Sequence, residues 1–161
     1  MGGSIMTLIV DLVQADTFKN QAGGSTFPIV KQIVTGTTTT QVDVSSSSLA
    51  DTGLTATITP TSTASKILVL VSQSVDHNGR SIGRLAIFRA ASNIYDAINF
   101  GDEDNMRGYH FATILDSPST TSSTAYKTQM ARHDQSGTIN IQRNDGSDKG
   151  KSTIILVEVG A

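Results

Sequence analysis

The chain has no cysteine and no tryptophan, and only three prolines in 161 residues. Without cysteine there are neither disulfides nor thiolate metal sites, so stability must come from packing and association. Charged residues are scarce at 16%, the net charge is −2, and no basic patch is present, which argues against a nucleic-acid partner. No apolar run approaches the roughly 18–20 residues that a membrane-spanning helix needs, so no membrane insertion is expected. Also missing are the Glu-, Lys- and Leu-rich stretches from which soluble helices are built. What abounds is Ser and Thr, about a quarter of the chain. Thr favours strands, so a hydroxyl-rich, weakly charged β protein is expected.

The clearest organisation lies between Leu49 and Val75. Leu54, Ala56 and Ile58 alternate with Thr55, Thr57 and Thr59, the period of a half-buried strand. Pro60 cannot donate to a ladder and ends that strand, and Thr61–Ser65 are turn-formers. Lys66–Val75 then carries Ile67, Leu68, Val69, Leu70 and Val71 in one run, apolar on both faces. Such a strand is expected to be covered on both sides. Thr153–Val159 shows the same excess. The two are read as a buried pair facing a subunit interface, which predicts a homotrimer packed around an axis. Leu68, Leu70, His110, Ile155 and Val157 are the candidates for that interface.

The remaining pattern is all β. Strands are expected at Ile29–Val34, Thr37–Val44, Gly83–Ala90, Ile94–Phe100 and Arg107–Leu115, and around Tyr126–Met130 and Ile139–Ile141. In Arg107–Leu115 the larger face holds Tyr109, Phe111, Thr113 and Leu115 and is assigned to the core. Asn78-Gly79 and Asn144-Asp145-Gly146 are turn signals. About ten short strands at this spacing predict an antiparallel β-sandwich or jelly roll, a head domain over residues 28–161.

Residues 1–27 read differently. Ile5, Leu8, Ile9, Leu12 and Val13 fall at helical spacing, their β-branched content suits an extended segment equally, and Gln21–Thr26 is a flexible link. Together they suggest an attachment arm, with Leu8, Val10, Leu12 and Phe18 as its contacts. Met6 is read as the true start and Met1–Ile5 as an extension. The positive flank of a secretory signal is missing.

Leu8-Ile9-Val10-Asp11, Thr52-Gly53-Leu54, Thr57-Ile58-Thr59-Pro60-Thr61-Ser62, Ser65-Lys66-Ile67-Leu68-Val69 and Leu115-Asp116-Ser117-Pro118 together resemble a known group. It is the small virion structural proteins of tailed bacteriophages, of the marine and cyanobacterial type, described as tail-fibre or virion-surface proteins. The resemblance spans almost the whole chain and is strongest in TGLTATITPTSTASKILVLVSQ and ILDSPSTTSSTAYK. It implies an N-terminal piece docked into the particle and a trimeric jelly-roll head, similar to tumour necrosis factor or complement-type globular heads. The longer leader and the lack of a fibre shaft leave open a fibre tip, a capsid decoration protein or an adaptor subunit. The partners implied are further copies of the chain, a tail or major capsid protein, and a host surface glycan or protein. The particle surface is the expected location.

No enzyme, cofactor or metal is expected. Gly79-Arg80-Ser81-Ile82-Gly83 matches the string G-x-S-x-G, but that elbow needs a helix after the serine, and Arg84–Arg89 reads as strand. His77, His110 and His133 lack paired-ligand spacing. Asp102, Glu103, Asp104 and Asn105 lack the full calcium-loop spacing and read as a solvated acidic loop. Exposed loops on a rigid scaffold are where recognition sits. The candidates for host contact are therefore Asp76, His77, Asn78 and Arg80, then Asp102, Glu103, Asp104 and Asn105, then Arg143, Asn144, Asp145, Asp148 and Lys149. The leading expectation is a trimeric tail-fibre or receptor-binding head that contacts the host surface, the alternative is a capsid decoration protein, and a cellular carbohydrate-binding module is a third reading of the same features.

Overall fold

The computed structural model describes residues 30–99 and 106–160. The described residues form twelve strands and no helix. They are β1 (Val30–Thr38), β2 (Val42–Val44), β3 (Ala50–Ile58), β4 (Lys66–Asn78), β5 (Ser81–Arg89) and β6 (Ser92–Asn99). Then follow β7 (Met106–Asp116), β8 (Thr124–Gln135), β9 (Thr138–Ile141), β10 (Asn144–Asp145), β11 (Asp148–Lys149) and β12 (Ser152–Val159).

The strands form two antiparallel sheets and a small hairpin, β10–β11. The large sheet runs β1-β12-β4-β7, and β9 and β2 extend it beside the far end of β4. The small sheet runs β3-β8-β5-β6. Of the eight principal strands, the first, eighth, third and sixth share the large sheet, and the second, seventh, fourth and fifth share the small one. That order is jelly-roll wiring.

The anticipated pair is present, since β4 lies beside β12 with Leu68 opposite Val157 and Leu70 opposite Ile155. The link before it behaves differently from a hairpin. Residues 59–65 carry the chain from β3 in the small sheet to β4 in the large one, so the two strands lie in different layers. The strand expected over Thr37–Val44 is also divided. Its beginning continues β1 to Thr38, and only Val42–Val44 forms a separate strand, beside β9.

Between the layers, Ile67, Val69, Val71 and Val75 of β4 meet Leu54 and Ile58 of β3, Leu85 and Ile87 of β5, and Tyr126 and Met130 of β8, all buried. This is the period-2 pattern resolved into one buried face per strand. The β1 and β3 backbones approach closely at Gly36, where a Cβ would overlap the Thr55 carbonyl oxygen. A second fixed point closes the β7–β8 loop. Tyr126 donates its hydroxyl to Asp116 Oδ2 (2.7 Å), and Arg89 Nη1 donates to both oxygens of the same carboxylate (2.8 and 2.9 Å).

One face assignment is reversed. Tyr109, Phe111, Thr113 and Leu115 point out of the sandwich, and His110, Ala112 and Ile114 point in. Register is the reason. β7 pairs with β4 so that His110 stands opposite Gln73 and Ala112 opposite Val71, both buried residues of the inner face.

Candidate functional site

The outer face of the large sheet carries the features that the fold itself does not use. Because directly paired residues share a face, the register reads off its rows. Ile33, Val157, Leu68 and Leu115 form one row across β1, β12, β4 and β7. Thr35, Ile155, Leu70 and Thr113 form the next, then Thr37, Thr153, Ser72 and Phe111. At the usual strand spacing each row is about 14 Å wide. Ile33 is 63% exposed, Leu115 54% and Phe111 71%. Between them Leu68, Leu70, Ile155 and Val157 are half-buried by their neighbours. It is an exposed apolar surface on an otherwise hydroxyl-rich protein, of the kind that interaction sites present.

The structure thus places four of the five interface candidates on one face. His110 is on the other. Its ring lies between the sheets, against the buried His77 with centroids 5.6 Å apart, and its Cε1 lies over Gly83.

Further along the same outer face the chemistry changes from apolar to charged. Beyond Phe111 come Ser74 opposite Tyr109 and Asp76 opposite Arg107. Asp76 is only 2% exposed. Its Oδ2 accepts from Arg143 Nη1 (2.6 Å) and forms an ion pair with Arg107, 2.8 Å from Nε. Asp145 Oδ1 accepts from Arg143 Nε (2.7 Å), and its Oδ2 lies 2.9 Å from Arg107 Nη1 as a second ion pair. The Arg143 guanidinium holds the Asp145 carboxyl below its ordinary range. Two carboxylates and two guanidiniums thereby alternate in one network at the mouth of a cleft of about 600 Å³. Tyr109, Lys149, Ser147 and Gly150 complete its walls. The Tyr109 and Phe111 rings stack at its edge, 6.2 Å apart and inclined by 28°.

The host-contact candidates divide accordingly. Asp76 and His77 belong to β4 and are buried, because that strand runs to Asn78 and pairs there with both β7 and β9. The β4–β5 turn therefore shrinks to Gly79 and Arg80, with Gly79 at a positive φ of 74° that suits glycine. Asn78, Arg80, Asn144, Asp145 and Lys149 are exposed, and Arg143 is half-buried. Asp148 forms the two-residue strand β11 with Lys149. Asp102, Glu103, Asp104 and Asn105, like Leu8, Val10, Leu12 and Phe18, lie outside the described residues. The sheet joins the first and third groups through Asp76, Arg143 and Asp145. Arg107 and Tyr109 complete the cleft; from the sequence, residue 107 closes a candidate contact loop, 101–107, and Tyr109 could stack on a sugar but is assigned to the core face.

The G-x-S-x-G string is closed off. Ser81 opens β5, its Oγ lies 2.9 Å from His77 Nδ1, and both residues are fully buried, so no substrate reaches the hydroxyl. Burial pushes the His77 imidazole below its ordinary range, which keeps it neutral at pH 7. Among the described residues no three His, Asp or Glu side chains converge as a metal site.

No protein-family model matches the chain, and no curated protein matches it. Among solved structures, a chain from the infectious bursal disease virus Gt strain aligns with a TM-score of 0.47 at 11% identity. The alignment covers 96% of this chain and 48% of that one, so this chain spans about half its length. A likeness that distant carries nothing about function. The jelly-roll assignment stands on the strand order.

Proposed function

We propose that the protein is a non-enzymatic structural subunit of a virus particle, assembled through the outer face of its large sheet. The observation that carries this reading is the apolar row Ile33–Val157–Leu68–Leu115 with Leu70 and Ile155 beside it. Burying about 25 cal/mol of stabilisation per Å² of such surface favours association over exposure to water. Further copies of the same chain are the proposed occupants, three around an axis. The bacteriophage resemblance of the 52–73 and 114–127 stretches supports placing that assembly on a virion.

Capsid decoration is the placement we favour, because it requires only an apolar face and a point of attachment to the shell. A receptor-binding fibre head is the second reading, and the cleft between Arg107, Arg143 and Tyr109 is the observation that favours it. Light scattering on the purified protein at micromolar concentration tests the assembly, with a three-chain mass expected and a monomer mass overturning it. Gold labelling of intact particles separates the placements. Label over the shell supports decoration, label at the tail supports the fibre head, and absence from particles overturns both.

A further inference from the structure

We propose that the cleft where Asp76, Arg107, Arg143 and Asp145 meet Tyr109 binds a neutral, hydroxyl-rich saccharide. The proposal goes beyond the assembly reading and uses the opposite end of the outer face. From the row of Leu70 to the row of Ser74 is four residues of β4, about 13 Å at the rise of a strand.

Three properties of the cleft define the ligand. The first is unspent hydrogen-bonding capacity around a buried carboxylate. Asp76 Oδ2 faces both arginines, whereas its Oδ1 is buried and has no hydrogen-bond partner. An oxygen left in that state is costly, and the exposed Asp145 carboxylate at the rim is the acceptor that a ligand reaches. The guanidiniums bring matching donors, since Arg143 spends two of its five N–H groups on the two carboxylates and Arg107 is held beside both by ion pairs.

The second property is mixed charge, three cations against two carboxylates. An anion entering the cleft meets Asp76 and Asp145, and a cation meets Arg107, Arg143 and Lys149. A neutral group that both donates and accepts meets neither penalty. A vicinal diol does both, one hydroxyl donating to a carboxylate oxygen of the exposed Asp145 while its neighbour accepts from a guanidinium N–H.

The third is a platform for the apolar side of a sugar ring. Tyr109 is 50% exposed, stacked on Phe111, and lies at the rim of the cleft. An aromatic face beside alternating Asp and Arg side chains matches the two-sided character of a pyranose, with C–H groups on one side and hydroxyls at the edge. The volume of about 600 Å³ is enough for one or two such rings.

Saturation-transfer difference NMR on the full chain tests the site. The probes are glucose, galactose, mannose and N-acetylglucosamine, with N-acetylneuraminic acid, inorganic phosphate and calcium chloride as charged competitors. Saturation transfer to the ring protons of at least one neutral sugar is expected, undiminished by equimolar competitors. Tyr109→Ala should reduce its affinity at least ~tenfold, the equivalent of one aromatic contact, with the melting temperature unchanged. Arg143→Met should lower the affinity likewise, at a cost in melting temperature because the buried Asp76 loses a partner. Should Arg143→Met fail to fold, Tyr109→Ala decides the matter, because that side chain supports no core contact. Absence of transfer to every neutral sugar, an affinity unchanged by Tyr109→Ala in a titration of the transfer signal, or displacement by phosphate or calcium overturns the proposal. The two readings fail separately. A monomer that binds sugar overturns the assembly, and a trimer that does not overturns the cleft.

Discussion

Thr128 Oγ1 donates to Gln73 Oε1 across 2.8 Å in the middle of the sandwich and so ties the small sheet to the large one. On one side the chain continues to Thr52, whose Oγ1 lies 2.5 Å from Thr128 Oγ1. On the other, Gln73 Nε2 donates to Ser152 Oγ (2.8 Å), which also accepts from Gln142 Nε2 (2.9 Å) and the Ser74 backbone N–H (2.9 Å). Gln73, Thr52, Thr128, Gln142 and Ser152 are all fully buried. A polar network of this kind, satisfied except at the buried Gln142 Oε1, fixes how the two sheets register on each other.

Gln73→Ala therefore removes a donor and an acceptor at once and takes one partner each from Thr128 and Ser152, which keep Thr52 and the Ser74 and Gln142 donors. The expected loss is about 2–3 kcal/mol, from the lost hydrogen bonds and the cavity together. Urea unfolding reads it directly. An unchanged midpoint would show that the network is dispensable.

The apolar strand β4 offers a paired test of the assembly. Val69 is buried between the sheets and Leu70 stands on the outer face. An aspartate at Val69 must be desolvated in the core, so Val69→Asp is expected to unfold the chain. Leu70→Asp keeps its charge at the surface. It should leave far-UV circular dichroism and the monomer fold intact and yield a single-chain mass by light scattering. A folded trimer carrying Leu70→Asp would overturn the outer-face interface.

The same strand explains how far the sequence could be read. Alternation at Leu54–Thr59 was legible because one face of β3 is buried and the other wet, so pattern and environment coincide. The β4–β12 pairing was legible because two runs of equal apolar excess need each other. The direction of β7 was not. Its bulkier face, Tyr109 to Leu115, looks like core by size, but the inner side is decided by the partners Gln73 and Val71, which no local pattern encodes. Nor was the cleft legible as a unit. Asp76 reads as part of a turn beside Asn78-Gly79, and only the sheet order brings Arg107 and Arg143 onto its carboxylate.

Gly36 offers a prediction of a different kind. Its φ is unremarkable for a strand, so the constraint is space and not backbone freedom. A methyl group there would overlap the Thr55 carbonyl oxygen and press on the Ile154 side chain. Because the near atom is backbone, β1 and β3 must separate to admit it. Gly36→Ala should cost at least about 2 kcal/mol, at the upper end of ordinary overpacking, despite the better strand propensity of alanine. A neutral or stabilised variant in thermal melting would show that the two strands separate freely.

Acid should weaken the protein in two stages. His77 is held below its ordinary value of 6.5 by burial, so the fold binds its proton less readily than the unfolded chain does. Stability from this group is present above about pH 6.5 and is lost as the pH falls further. Glu158 acts lower. Burial pushes its carboxyl up, but hydrogen bonds from Gln32 Nε2 (2.6 Å) and from the Thr61 backbone N–H and hydroxyl (2.8 and 2.7 Å) outweigh that. They hold it at about 2 against an ordinary 4.5. A depressed carboxyl stabilises the fold above its unfolded value, and the contribution disappears between about pH 4.5 and 2. At most about 3 kcal/mol is involved. Because Glu158 clamps β12 to the 59–65 link and to β1, its protonation should loosen the end of the sandwich that carries Val157 and Ile33. Urea midpoints measured from pH 7 to pH 2.5 should fall in both ranges. Glu158→Gln should flatten the lower limb and leave the upper one in place. A variant whose acid profile superimposes on that of the parent would show that Glu158 is not the group responsible.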